Sequence, residues 1–323
     1  MSQFSTITQE LHQATSDLQQ VNPIIGILRF SIIGVIFLTL LTIAWFVPIG
    51  IIFVLTTILA GIFYSFWLIC THDMTHQTLT SWKWFDNFIP RLISWPILSP
   101  YGIYSELHRL HHSWNGINLK DPERVQWTKK EYETANQLQK WYVNNQWVLD
   151  IFVCGGIGLI FKNFIQAWQF KHLVNVHRQL LWDIVGMSLV KSLLLTIAFY
   201  HHQLGKYLLF WFVLERVIGI ILQTRDHLEH YGMWAKFQNH QLTQFYAGRN
   251  LQTHPIIGWL MGGLNYHAVH HGFPDIPFYH LPTAFDRVQL ILKKYDFPVM
   301  ELDPGYLQSA YLLSQQTLLI EQD

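Results

Sequence analysis

Residues 24–70 read IIGILRFSIIGVIFLTLLTIAWFVPIGIIFVLTTILAGIFYSFWLIC, and Arg29 is their only charged residue. A helix needs about 20 apolar residues to cross a bilayer. The stretch is therefore long enough for two spans, at about 26–47 and 50–71, with Pro48-Ile49-Gly50 as the tight turn between them. Polarity returns abruptly at Thr71-His72-Asp73. A second pair of spans is expected at 181–200 and 204–223, joined by His201-His202-Gln203, with Asp183 and Lys191 inside the first of the pair. The fold class expected from this pattern is all-α integral membrane: four transmembrane helices arranged as two hairpins.

The composition agrees. Only 13% of the 323 residues are charged and half are hydrophobic, against about 25% charged in a soluble domain. The formal net charge is zero, which removes any electrostatic case for nucleic acid. Fourteen Trp and fourteen Tyr suit the membrane–water interface. Each hairpin crosses and returns, so both long polar segments fall on one side. Lys and Arg crowd the segment from Lys83 to Arg178 and the segment after Arg225, while the two turns contribute Lys206 at most. By the positive-inside rule the long segments and both termini are cytosolic.

Three weaker apolar stretches remain. Phe85–Tyr104 is interrupted by Pro90, Pro96 and Pro100, Val148–Phe164 is rich in glycine, and Ile256–Leu264 is short. All three are expected to be interfacial or re-entrant. A full crossing by Val148–Phe164 would invert the second hairpin and split the polar segments across the membrane. Lys120–Trp147 is charged and amphipathic, as a cytosolic helical cap would be. The expected organisation is a cytosolic N-terminal tail at 1–23, a membrane domain at 24–295 and a cytosolic C-terminal tail at 296–323. Residues 1–23 lack a basic region followed by a cleavage site, so no signal peptide is expected.

Eighteen histidines are the anomaly. In His72-Asp73-Met74-Thr75-His76 the two imidazoles share one helical face, one turn apart. His108-Arg109-Leu110-His111-His112 and His267-Ala268-Val269-His270-His271 repeat one three-histidine pattern, which is hard to obtain twice by accident. A fourth cluster, Arg225-Asp226-His227-Leu228-Glu229-His230, follows the last span. The hairpin topology puts all four on one membrane face. Neutral imidazole suits iron, zinc and copper, whereas Mg and Ca prefer oxygen. Eight or nine imidazoles exceed one tetrahedral zinc site and suit two ions with open positions. Cys70 and Cys154 form no Cys-x-x-Cys, so thiolate metal sites are not expected.

These boxes resemble those of the membrane fatty acid desaturase superfamily: His72-x-x-x-His76, His108-x-x-His111-His112 and His267-x-x-His270-His271. The wider run from Asn265 to Pro282 is similar to the bacterial form of the third box, and Arg225-x-x-x-Glu229-His230 to the family's extra-ligand segment. The similarity extends over about residues 45–295. It implies two iron ions on His72, His76, His108, His111, His112, His230, His267, His270 and His271, held in the cap. In acyl-CoA desaturases an Asn four residues before the lone His meets the metal through water; here that position is Asp226. Asp121-Pro122-Glu123 also comes later than the family pattern. Asp73, Glu106, Asp226, Glu229 and Asp275 are candidates to orient ligand imidazoles.

The resemblance implies O2 as co-substrate and removal of hydrogen from an unactivated C–H bond. A second hydrogen loss gives an alkene, and oxygen rebound an alcohol. The implied partners are the lipid bilayer, a fatty acyl group on lipid, CoA or carrier protein, and a separate ferredoxin or cytochrome, since no His-Pro-Gly-Gly marks a fused heme donor. Box spacing leaves other oxidative outcomes open: carotenoid hydroxylase or ketolase, acetylenase, or alkene-forming decarboxylase. A metal-binding membrane protein or transporter is the non-enzymatic alternative, although transporters place ionisable groups near the midplane and these clusters sit at span ends.

Overall fold

A computed structural model gives the structure of the chain and describes residues 3–321. Residues 1, 2, 322 and 323 of the expected tails lie outside the described residues. The helices in chain order are α1 (Gln3–Thr15), α2 (Pro23–Phe46), α3 (Ile51–Thr75), α4 (Lys83–Ser94), α5 (Tyr101–Trp114), α6 (Lys129–Thr134), α7 (Gln137–Asn144) and α8 (Gln146–Val148). They continue as α9 (Gly155–Gln169), α10 (Val174–Tyr200), α11 (Leu204–His230), α12 (His240–Tyr246), α13 (Pro255–Leu260), α14 (His267–Gly272), α15 (Leu281–Lys294) and α16 (Tyr306–Ser314). Among the described residues no strand forms, only isolated bridges such as Thr128 with Ile320.

Local chemistry sets the ends of the first span. The Asn22 side chain accepts from Ile24 N–H and Pro23 occupies the first turn of α2, the usual start of a helix. Pro48 follows its end. Several helices outrun the apolar lengths expected of them. α3 continues to Thr75 and takes His72 and Asp73 into its last turn. α11 runs 27 residues to His230, about 40 Å.

Five helical segments are long and apolar enough to cross a membrane: Pro23–Phe46, Ile51–Thr75, Gln146–Gln169, Asn175–Tyr200 and Leu204–His230. α3 and α11 form the central seam, where Tyr64 and Leu68 pack with Leu214 and Ile218. Gly61 lets Val217 close onto α3, since a Cβ there would stand 2.7 Å from Val217. The charges inside α10 have partners. Asp183 accepts from Trp95 Nε1 at 3.0 Å and Ile103 N–H at 2.8 Å, and Lys191 lies 4.1 Å from the Trp211 ring centre.

The fifth apolar segment, Gln146–Gln169, is bent. It joins α8 to α9 through a π-helical turn, Leu149–Cys154, and Gly155 breaks it with φ +55°. Trp147 packs on His227 and Tyr231 near the end of α11. At the break Gly155 and Gly156 touch Gly219, and beyond it the chain has turned back, with Lys162 pairing with Asp226 at 2.8 Å. The first arm thus runs against α11 and the second runs with it. The break frees carbonyls on one arm and N–H groups on the other, which hydrocarbon cannot satisfy. Arg216 donates to Val153 O and Cys154 O, both at 2.7 Å, and Glu215 accepts from Ile157 N–H.

Phe85–Tyr104 is not one element. It divides into α4, a 3-10 turn at Trp95–Ile97 and the start of α5, with Leu98 in the left-handed region. The N-terminal segment, read as a short helix or tail, forms α1 and is seated on the protein. Ile7 and Leu11 of α1 are fully buried with Leu242, Phe245, Val269 and Val288. At the other end α16 lies against Leu228 and Tyr231 of α11.

Candidate metal centre

The ends of α3, α5 and α11 meet the short α14, and nine imidazoles converge there. His72, His76, His108, His112 and His270 form one group; His111, His230, His267 and His271 form the other. Within each group one ring nitrogen per residue lies within 4.8 Å of every other. All are buried except His76, which is partly so. The groups touch where His112 stacks on His271, ring centres 4.1 Å apart. α5 serves both from one face: His108 and His112, one turn apart, join the first group, and His111, about 100° round the helix from His112, joins the second.

Close nitrogen pairs mark where the rings point. His108 Nε2 and His112 Nε2 are 3.0 Å apart, His111 Nε2 and His230 Nε2 3.0 Å, and His267 Nε2 and His230 Nε2 2.9 Å. Nε2 of His72, His76, His270 and His271 is buried with no hydrogen-bond partner. Buried polar atoms normally have partners, so four orphaned acceptors aimed into one cluster fit a pair of bound cations.

On several of the rings the protein receives the outward-facing Nδ1–H. His111 donates to Asp121 at 2.8 and 2.9 Å, and His108 to Glu123 at 3.1 Å. His230 donates to Ala247 O at 2.9 Å and His271 to Gln244 Oε1 at 3.0 Å. His72 Nδ1 stands 3.4 Å from Asp73, and His267 Nδ1 stands 3.6 Å from Glu229. α12 ties several of these together. Gln244 Nε2 donates to Asn115 O at 2.9 Å, and Asn115 Nδ2 donates to Ala247 O at 3.1 Å.

Of the five carboxylates proposed from sequence, Asp73 and Glu229 approach ligand rings. The other three do not. Glu106 turns to Arg109 at 3.0 Å one helical turn away, Asp226 pairs with Lys162, and Asp275 is exposed. His227 also points away, its Nδ1–H donating to Gln223 O and its Nε2 standing 3.2 Å from Asp150. Asp121, Glu123, Gln244 and Arg29 were missed. Asp121-Pro122-Glu123 was visible as a departure in spacing, which was the available signal. Arg29 is fully buried in α2, 2.7 Å from Asp73, and donates to Leu260 O at 3.1 Å.

Electrostatics separate the rings. Burial, then the neighbouring imidazoles, hold His112 and His271 well below the ordinary histidine range, and His267 and His270 likewise. Such rings are neutral and ready to ligate. Burial also opposes a proton on His111, but Asp121 and Glu123 outweigh it and raise its pKa to about 9. Burial likewise opposes the Glu123 charge, yet His108 and His111 hold that carboxylate well below its usual range.

The family model for fatty acid desaturase matches residues 43–303. Delta(5) fatty acid desaturase fat-4 of Caenorhabditis elegans is 23% identical over 256 residues, covering 72% of this chain and 56% of that protein. An endoplasmic-reticulum omega-3 fatty acid desaturase of Vigna radiata is 27% identical over 252 residues, 71% of this chain and 63% of that protein. The fatty acid conjugase FAC2 A of Calendula officinalis is 23% identical over 252 residues, 71% of this chain and 65% of that protein. The chain thus spans less than two thirds of the length of these relatives. The match covers all four histidine-bearing segments, and the chain belongs to the fatty acid desaturase family.

Proposed function

We propose that the chain is an oxygen-dependent fatty acyl desaturase with two iron ions, one in each histidine group. The observation that carries this reading is the division of nine buried imidazoles into groups of five and four. Five and four imidazoles exceed one tetrahedral zinc site, and the two groups would hold two ions.

Bound iron would supply the reduction of O2 and the oxidising power for C–H cleavage. The chain's own residues supply the rest. Asp121, Glu123, Gln244 and the Ala247 carbonyl fix ring orientation and tautomer. A chamber of 110 Å3 beside His72, floored by Leu68, Leu107, Leu159 and Leu222, offers an apolar rest for the reacting part of a chain. Each double bond takes two hydrogens from the substrate, two electrons from a separate donor and two protons from water, reducing O2 to two waters.

The same reading gives four spans, α2, α3, α10 and α11, with Gln146–Gln169 re-entrant from the side of the metal centre. Both arms of that segment lie beside one stretch of α11, and Glu215 and Arg216 satisfy its break, which supports the assignment. The centre and both termini then face the cytosol. Expression in a host of known lipid composition, followed by mass spectrometry of the acyl chains, tests the activity. A product two hydrogens lighter is expected. An oxygenated product without that loss would replace desaturation with hydroxylation or ketone formation.

A further inference from the structure

An apolar cavity of 690 Å3 lies between α2, α3, α10 and α11. Its lining runs along α2 from Phe30 to Phe46, about 24 Å of helix, which is most of the depth of a hydrocarbon core about 30 Å thick. Leu38 and Phe46 of α2 and Ile197 of α10 line it and are also exposed, so it opens sideways to lipid. Among the described residues it shares no lining with the chamber beside His72. An occupant would therefore sit apart from the chemistry.

The cavity ends in a polar mouth. Trp45, Phe46 and Lys206 line both it and a second pocket of 400 Å3, which His201, Gln203 and Pro48 help to complete. The mouth lies at the hairpin loops, at the opposite ends of α3 and α11 from His72 and His230. Lys206 is 8% exposed, and its ammonium donates to Trp45 O and Val47 O. These bonds finish the end of α2, whose last carbonyls have no helical partner. They use two of three N–H groups and bring no formal negative charge. Neither lining holds an Asp or Glu, although buried charges are normally paired.

Tyr207, the next residue, lines the apolar cavity, and its hydroxyl is buried without a hydrogen-bond partner. Buried polar atoms normally have one. A glycerophospholipid meets both demands at once: its phosphate is an anion, and its ester carbonyls are acceptors just below that phosphate. With no carboxylate at the mouth to receive a choline or ethanolamine cation, a head group of net negative charge is the better complement.

We propose that the cavity binds one anionic phospholipid, with its phosphate on Lys206, an ester carbonyl at Tyr207 and one tail in the 690 Å3 space. This lipid is a fixed component of the helix bundle and not a substrate. Its binding is independent of the oxidative outcome at the metals.

Two measurements on the full chain test this. First, native mass spectrometry follows delipidated protein mixed with equimolar phosphatidylglycerol and phosphatidylcholine. One phosphatidylglycerol per chain is expected, retained at least tenfold over phosphatidylcholine. The preference should fall at least fivefold in Lys206→Gln, return in Lys206→Arg and persist in Lys171→Gln, which removes an exposed cation outside both linings. Equal retention of the two lipids by wild type, or an unchanged preference in Lys206→Gln, would overturn the proposal. Second, a phosphatidylglycerol with a diazirine near its tail end is irradiated in nanodiscs and the adducts are mapped. Adducts on Leu41, Phe210 or Leu214 are expected, with those on Phe210 and Leu214 falling at least fivefold in Leu41→Trp. Adducts confined to lipid-facing positions such as Leu189 and Leu193 would overturn it. Metal content, held at the far ends of α3 and α11, should equal wild type in every variant and so reports folding. The wild-type results decide the matter even where a variant fails to fold.

Discussion

Asp121→Asn probes one metal position more directly than the other, which it reaches only through the Glu123 N–H that donates to Asp121 at 2.9 Å. Asp121 contacts His111, a member of the four-histidine group, through both oxygens at 2.8 and 2.9 Å, and both side chains are 1% exposed. Asparagine keeps an acceptor at that place but removes the charge. Loss of such an outer partner costs about 10–100-fold in metal affinity, or about 1.4–2.8 kcal/mol. The loss should fall on one ion of two. Anaerobic titration with Fe2+ against a competing chelator should turn from two comparable sites into one tight and one weakened.

Protons supply a second reading of the same variant. The two carboxylates raise the His111 pKa to about 9 in the metal-free protein, so a bound ion must displace a proton at neutral pH. Apparent affinity of the four-histidine group should then fall about tenfold per pH unit below about 9. The five-histidine group should stay flat down to the ordinary histidine value of 6.5, since burial keeps His112 and His270 below it. Without metal the His111 proton stabilises the fold fully below pH 6.5, and that contribution is lost as pH rises through about 9. Wild type should release about one proton per chain at pH 7.5 on loading, and Asp121→Asn less. Equal weakening of both ions, or no change in proton release, would refute the assignment of Asp121 to one group.

Three further outcomes follow from other contacts. Arg29→Met strands the buried Asp73 carboxylate and should cost about 3–5 kcal/mol in unfolding, with much of it restored by adding Asp73→Asn; an equally unstable double variant would contradict the pairing. Gln244→Leu removes the acceptor of His271 and the donor to Asn115 O, so metal affinity of the four-histidine group should fall about 10–100-fold, read by the same chelator titration. Gly219→Ala places a Cβ 2.0 Å from Gly156 N, whereas Gly205 has nothing within 4 Å. The first should cost about 1–3 kcal/mol and speed maleimide labelling of the partly exposed Cys154; Gly205→Ala should do neither.

The histidine boxes were legible because helix geometry forces i, i+3 and i+4 side chains onto one face, whatever the fold around them. Apolar length revealed the first two spans for the same kind of reason. Hydropathy alone does not separate the bent Gln146–Gln169 segment from the four straight apolar helices, because all five are long and apolar enough to cross a membrane. What distinguishes them is Gly155 at positive φ and the capping of its break by Glu215 and Arg216, and those residues lie far apart in sequence. Outer partners of the rings were legible only where they were near neighbours. Asp73 adjoins His72 in the chain, and Glu229 adjoins His230 although it approaches His267. Asp121, Gln244 and Arg29 reach the site by tertiary packing, and adjacency pointed instead to Glu106, Asp226 and Asp275.

Iron content per chain tests the central claim most directly. Elemental mass spectrometry of anaerobically prepared protein, for wild type, His270→Ala and His111→Ala, should give two, one and one iron ions, with loss of acyl oxidation in both variants. Two iron ions and undiminished oxidation in both variants, or no transition metal in the active wild type, would contradict the account.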